Sequence, residues 1–521
     1  MERLSTGAPV FPMKKSILFS LLLLLTSFLP AQSGQQPPAQ TAPPPPVTEQ
    51  QTAPEKPPLP NEEAAPPEKD HKITPDETRE LFQSVDQILH FASRDTLLPV
   101  KHSVKKAMVS RTEVESYIGD KFKDDVDRIR FERSELVLKK FGLLPRQFNL
   151  HDFLIKLLGE QVAGYYDEKK KTMNLLDWVQ MDMQRSVMAH ELTHALQDQS
   201  FDLEKMVKKD EEIEKRGPEN FNELIQIDEA STARTAVLEG QAMVVFADYA
   251  LNTMEGDSCG NDPACQLPDK RSVADFPKFV DLMLSQMDKE KGDSLLDNAP
   301  LLLRDELIFP YSQGMKFIAR LLVSGGKQMA FTDVMKRMPQ TTREIIQPDE
   351  YLAGHVIPPL LLPDFKFLKD DFEAFDAGAI GQLDVDILLK QYTEEAVADR
   401  LSPEWRGGSY YAVGRKGAKP ADPNSTAHVG LIYVSKWSSE KSAQEFARIY
   451  GSSLPGRYNK LERAQTDGSS GREKYLSADG PIYIQQSGNL VIAVESFDDA
   501  TSEKVIEAVL AHEGQAQQAA R

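Results

Sequence analysis

One five-residue run constrains this chain more than any other: His190-Glu191-Leu192-Thr193-His194. On an α-helix, residues i and i+4 share a face, so both imidazoles can aim a ring nitrogen at one ion. Glu191 lies about 100° round the helix. That is a poor place for a third ligand and a good one for a base that holds a water activated by zinc. The flanks favour a helix. Met181 to Ala189 leads in, Ala195 to Gln199 follows, and neither Pro nor Gly interrupts the run. Met188, Leu192, Ala195 and Leu196 recur at helical spacing and would bury one flank. Asp198 follows His194 by one turn. It reads either as the group that orients a ligand imidazole through its second nitrogen or as a solvated carboxylate.

A zinc site needs a third protein ligand and an open fourth position. The chain has only 9 histidines, so a downstream carboxylate is the better source. Asp228 to Tyr249 reads as a largely buried helix, and Glu239 is embedded there among Ala, Val and Leu. A carboxylate in such surroundings is costly without a cation. The small Gly240 and Ala242 beside it would let this helix pack closely on the motif helix. The competing reading of Glu239 is a buried ion pair with an arginine such as Arg234. Asp228, Glu229 and Asp248 are weaker substitutes.

On these residues, the run His190 to Gln199 with Leu238-Glu239-Gly240-Gln241-Ala242, the chain resembles the zincin metallopeptidases. It is similar in particular to those whose third ligand is a glutamate on a following helix, the gluzincins. With Phe309-Pro310-Tyr311-Ser312-Gln313-Gly314 it also resembles a group of bacterial exported metallopeptidase-like proteins. The resemblance covers roughly residues 150–360. It implies a zinc metallopeptidase with one Zn2+ per chain, held by His190, His194 and Glu239, with Glu191 as general base. It implies a peptide or protein as substrate without saying which.

Zincins place an edge strand above the metal, to which an extended peptide adds as another strand. Val162-Ala163-Gly164-Tyr165 is the candidate for that contact. With Thr172 to Leu176 it flanks a polar turn, Glu168 to Lys171, as a hairpin would; an ordinary hairpin of the core is the alternative. A developing oxyanion also needs a donor. Tyr311 is the first candidate, followed by Tyr166, Tyr249 and His355.

The remaining chain indicates where such chemistry would occur. Met13-Lys14-Lys15 and the apolar run Ile17 to Leu29 form a signal peptide, with small residues Ala31 and Ser33 before a cleavage site. Residues 1–12 read as an upstream mis-called start. Export to the periplasm or the exterior is expected, or a membrane tether if the signal stays uncleaved. Residues 34–73 are rich in Pro, Gln, Ala and Glu and read as a disordered spacer, reaching on the order of 100 Å at about 3.1 Å per residue. Cys259 and Cys265, in a Gly/Asn/Pro loop of an exported protein, are expected to form a local disulfide. A net charge of −19 disfavours nucleic acid and anionic membranes as partners. The mixed-charge run Val207 to Glu219 reads as a solvated loop or helix end.

The expected fold is α+β. A mostly helical zincin-like domain with a small hairpin sheet spans 74–401. A smaller C-terminal α+β domain with a mainly antiparallel sheet spans 402–515, and 516–521 is a tail. Helices are expected at Thr78 to Ala92, Asp127 to Phe141, Phe148 to Leu158, Pro277 to Lys289, Gln313 to Val323 and Val385 to Arg400. Pro348 to Asp364 reads as an irregular connection. Beyond 402, strands are expected at Tyr410 to Val413, His428 to Ser435, Pro481 to Gln486 and Asn489 to Glu495, with helices Glu440 to Tyr450 and Ala500 to His512. Two other functions fit the sequence: a catalytically idle peptide-binding envelope protein, and a zinc amidase acting on cell-wall peptides. A di-iron carboxylate protein does not fit, since paired Glu-x-x-His helices are missing.

Overall fold

A computed structural model describes residues 73–519 apart from 115, 117–124, 162–163, 180, 254–270, 276–279, 281–293, 421 and 465–470. The expected signal peptide and spacer, the Cys259–Cys265 pair and most of the helix from Pro277 to Lys289 lie outside the described residues. The protein is α+β.

The first helix, α1 (Pro75–Thr96), shows how local sequence sets an element. Thr74 caps it in a reciprocal box with Glu77, and Pro75 fits the first turn. Its buried Leu81, Val85, Ile88, Leu89 and Ala92 then fall on one stripe. Strand β1 (Lys105–Val109) and helices α2 (Asp125–Phe141) and α3 (Leu150–Gln161) follow. Strands β2 (Gly164–Asp167) and β3 (Thr172–Leu176) form the expected hairpin. Asp167 Oδ1 accepts from the Lys169 and Lys170 amides across its turn. The sheet order is β1-β3-β2, with β1 parallel and β2 antiparallel to β3, so β2 is an edge strand among the described residues.

Helices α4 (Met181–Phe201), α6 (Phe221–Thr253) and α7 (Leu301–Gln328) make the centre of the molecule. Between α4 and α6, α5 (Leu203–Lys215) occupies the mixed-charge run. As far as Lys215 that run is therefore the end of a helix, one of the two readings, but with Asp210, Glu211 and Glu214 buried rather than solvated. α6 is buried almost all round, from Ile225 to Asn252. Its small residues serve a different neighbour from the one expected. A Cβ on Gly240 would lie 2.3 Å from the Gly314 carbonyl, and one on Gly314 would lie 2.2 Å from the Ala236 oxygen. So α6 crosses α7 backbone against backbone at these two glycines, and the close approach is to α7, not to the motif helix. α7 also begins earlier than expected, running through Pro310, because burial of Phe309, Pro310 and Tyr311 offsets the lost backbone hydrogen bond. A π turn, Met329–Asp333, follows it.

Two short helices follow, α8 (Thr342–Ile346) and α9 (Pro348–Ala353), and α9 takes up the start of the stretch expected to be irregular. Then β4 (Phe372–Ala379) leads into α10 (Gln382–Tyr392), α11 (Glu395–Leu401), β5 (Trp405–Arg415), β6 (Val429–Trp437) and α12 (Glu440–Arg457). After these come β7 (Glu462–Arg463), β8 (Arg472–Ser477), β9 (Gly480–Ser487), β10 (Leu490–Glu495) and α13 (Asp499–Ala519). The seven strands form one antiparallel sheet, ordered β4-β5-β6-β10-β9-β8-β7. The sheet therefore takes a strand from before residue 402, and α13 runs on into the expected tail.

Alternation along the strands gives the sheet two apolar faces. Tyr410, Ala412, Leu431, Tyr433, Val491 and Ala493 join the same core as α4, α6 and α12. Tyr411, Val413, Ile432, Val434, Ile492 and Val494 pack with α13 and with Ile225 at the start of α6. The long helix α6 thus ties the sheet to the helical centre.

Candidate metal centre

α4 carries His190 and His194 on one face, as their spacing requires. Their rings meet edge to face with centroids 4.7 Å apart, and their Nε2 atoms stand 3.0 Å apart. α6 brings in Glu239 from the side. Its Oε2 lies 3.2 Å from His190 Nε2 and 3.5 Å from His194 Nε2. In a tetrahedral zinc site with bonds of about 2.0–2.1 Å, neighbouring ligand atoms are about 3.3 Å apart. The three separations here bracket that edge. Glu239 Oε2 is buried, and its nearest polar neighbours among the described residues are these two imidazole nitrogens. The group His190, His194 and Glu239 could hold a metal ion.

Without an ion, the side chains share charge among themselves. Burial alone would lower the His194 pKa, but the adjacent Glu239 carboxylate outweighs it and lifts the imidazole to about 9. Burial would likewise raise Glu239, yet the charge on His194 and the two imidazole contacts hold it down at about 2. His190, where burial dominates, is pushed down. The centre is thus a buried carboxylate sharing one positive charge with two imidazoles.

Glu191 sits outside this triangle. Its side chain is 0% exposed, no side-chain donor meets either oxygen among the described residues, and the Tyr166 backbone amide of β2 lies close enough to bear on it. Burial raises it to about 8. The edge strand passes directly over it. A Cβ on Gly164 would lie 3.0 Å from Val187 Cγ1 and 3.8 Å from Glu191 Cγ, so β2 runs close to the motif helix here and a larger residue would press on Val187. Tyr165 is buried next to it in the strand, while Val162 and Ala163 lie outside the described residues.

Of the four candidate oxyanion donors, only Tyr311 is in ring contact with the ligands; it stacks on His190 at 6.3 Å between centroids. The Tyr166 hydroxyl donates to Asp198. Tyr249 packs edge-on against Phe91, and His355 bonds Glu350 at the surface. The substitutes for Glu239 are engaged elsewhere. Asp228 accepts from the Ala379 amide, Glu229 from the Thr342 amide and hydroxyl, and Asp248 from the Val273 amide. Arg234 pairs with Asp210 at 2.6 Å rather than with Glu239.

The expectation for Asp198 is corrected. Its carboxylate takes the Tyr166 hydroxyl and the Lys171 ammonium, at 2.9 and 2.7 Å, and so pins the hairpin to α4. The residue before it, Gln197, meets the ligand ring instead, with Oε1 at 2.8 Å from His194 Nδ1. The signal for Gln197 was present: a buried amide one turn from a ligand, paired with a second one, Gln241, two residues after Glu239.

No protein-family model matches the chain, no curated protein matches it, and no solved structure does.

Proposed function

We propose that the protein is a zinc-dependent peptidase of the gluzincin kind, exported by its N-terminal signal and acting on peptide bonds outside the cytoplasm. One observation carries this reading: a fully buried carboxylate, Glu191, lies beside three side chains from two helices with the spacing of a zinc tetrahedron. When bound there, zinc would polarise a peptide carbonyl and let a water lose its proton near neutral pH. Glu191 accepts that proton and passes it to the leaving amine. In this reading an extended peptide pairs with β2, the edge strand among the described residues, and Gly164 brings that strand close to the base. Tyr311, whose ring stacks on His190, is the proposed support for the oxyanion.

Burial favours a second reading. His190, Glu191, His194 and Glu239 are each at most 1% exposed, so a substrate must open the cover, and an idle envelope protein with a buried metal would have no need to. One experiment separates them. Purified protein and Glu191→Gln are each loaded with zinc and incubated with a peptide library, and new termini are read by mass spectrometry. Peptidase chemistry predicts cleavage that falls roughly 10²–10⁴-fold in the variant with its zinc retained. Equal cleavage by both, or none by either, would sink the proposal.

A further inference from the structure

The buried amides behind the ligands form a chain with a direction. The Ala330 carbonyl, in the π turn after α7, accepts from Gln241 Nε2 at 2.7 Å. Gln241 Oε1 accepts from Gln197 Nε2 at 2.8 Å, and the same nitrogen donates to the Leu238 carbonyl at 3.0 Å. Gln197 Oε1 then faces His194 Nδ1. Both glutamines are 0% exposed, so solvent supplies no alternative partner. A carbonyl can only accept. It therefore obliges Gln241 to turn its NH2 outward and its oxygen inward, and that oxygen imposes the same orientation on Gln197. An amide oxygen facing Nδ1 requires the proton there. A neutral His194 is then left with a bare lone pair on Nε2, the atom that points at His190 and Glu239.

The geometry points to Gln197 and Gln241 as positioning residues that preset the metal-binding tautomer and ring orientation of His194, with the Ala330 carbonyl as the fixed end of the chain. His190 has no such support: its Nδ1 lacks a partner among the described residues. His194 is the preset ligand of the pair. Gln241 touches no ligand side chain in this chain of bonds, so its influence on the metal passes through Gln197 alone. The inference rests on the metal-binding reading above.

The test is zinc affinity by chelator competition, with the Co2+ absorption spectrum as a second readout. Folding is checked by circular dichroism. Gln197→Leu should weaken zinc binding by about 10–100-fold, the range for loss of a supporting partner. Gln241→Leu should weaken it about tenfold and shift the cobalt bands. Gln241→Met keeps the side-chain length and serves if leucine prevents folding. Gln197→Glu retains an acceptor for Nδ1 and should recover most of the affinity lost in Gln197→Leu. Gln184→Leu is the control: this amide, also buried on α4, bonds only the Leu176 and Val179 carbonyls and should leave affinity unchanged. Wild-type affinity in both Gln241 variants would overturn the relay while leaving the metal site intact, as would an equal loss in Gln184→Leu. A wild-type protein that binds no zinc would overturn both.

Discussion

Two of the carboxylates buried among the described residues, Glu495 and Glu239, differ in their surroundings in a way that separates structure from chemistry. Glu495, on the sheet, receives Arg457 Nη2 on both oxygens at 2.7 and 2.8 Å, the Tyr450 hydroxyl at 2.6 Å and the Tyr458 hydroxyl. Its countercharge is built into the chain and its lone pairs are occupied. Glu239 is buried as deeply but faces two imidazoles, with the buried Glu191 next door. A protein tolerates a buried carboxylate when a cation accompanies it. Glu495 has an internal cation. Glu239, with His190 and His194, could hold an external one.

The sharpest way to break this contrast is to remove the internal cation. Arg457→Met leaves Glu495 charged and uncompensated and should cost about 3–5 kcal/mol of stability in denaturant unfolding, with zinc affinity unchanged. A cost near zero would remove the distinction between the two sites. The next effect concerns packing. Gly314→Ala places a methyl 2.2 Å from the Ala236 oxygen and should cost about 1–3 kcal/mol. Because it pushes α6 from α7, it should also weaken zinc binding while sparing the Arg457–Glu495 cluster, which a thermal melt and a chelator titration would report separately.

The smallest effect is graded with pH. Without metal, Glu239 raises His194 to about 9. The folded value lies above the ordinary imidazole value, so this pairing stabilises the metal-free fold fully below about pH 6.5 and the contribution is lost as pH rises through about 9. Zinc must displace that proton. Apparent affinity should therefore fall about tenfold, or about 1.4 kcal/mol, for each pH unit below 9. A flat profile between pH 6 and 8 would mean that His194 carries no proton to displace.

What the sequence made legible follows the range of the forces involved. The motif helix and its two imidazoles depend on i, i+4 spacing, and Glu239 depends on the local cost of a carboxylate among Ala, Val and Leu; both are local signals. The alternating strands β5, β6, β9 and β10 were visible for the same reason. Asp198 was misread because its partners, Tyr166 and Lys171, come from the hairpin, and no helical period reports them. Gly240 signalled a close approach but not its partner, since Gly314 belongs to a helix whose early turns were hidden by Pro310. β4 shows no clean period in the sequence because a bulge between Ala374 and Asp376 breaks its alternation.

Zinc content after reconstitution and dialysis, compared between wild type and Glu239→Gln by elemental analysis, tests the contrast at its root. The account predicts about one zinc per chain in the wild type, and in the variant a loss exceeding the roughly 100-fold expected for a supporting residue. Zinc retained by Glu239→Gln at wild-type affinity, or none bound by the wild type, would contradict it.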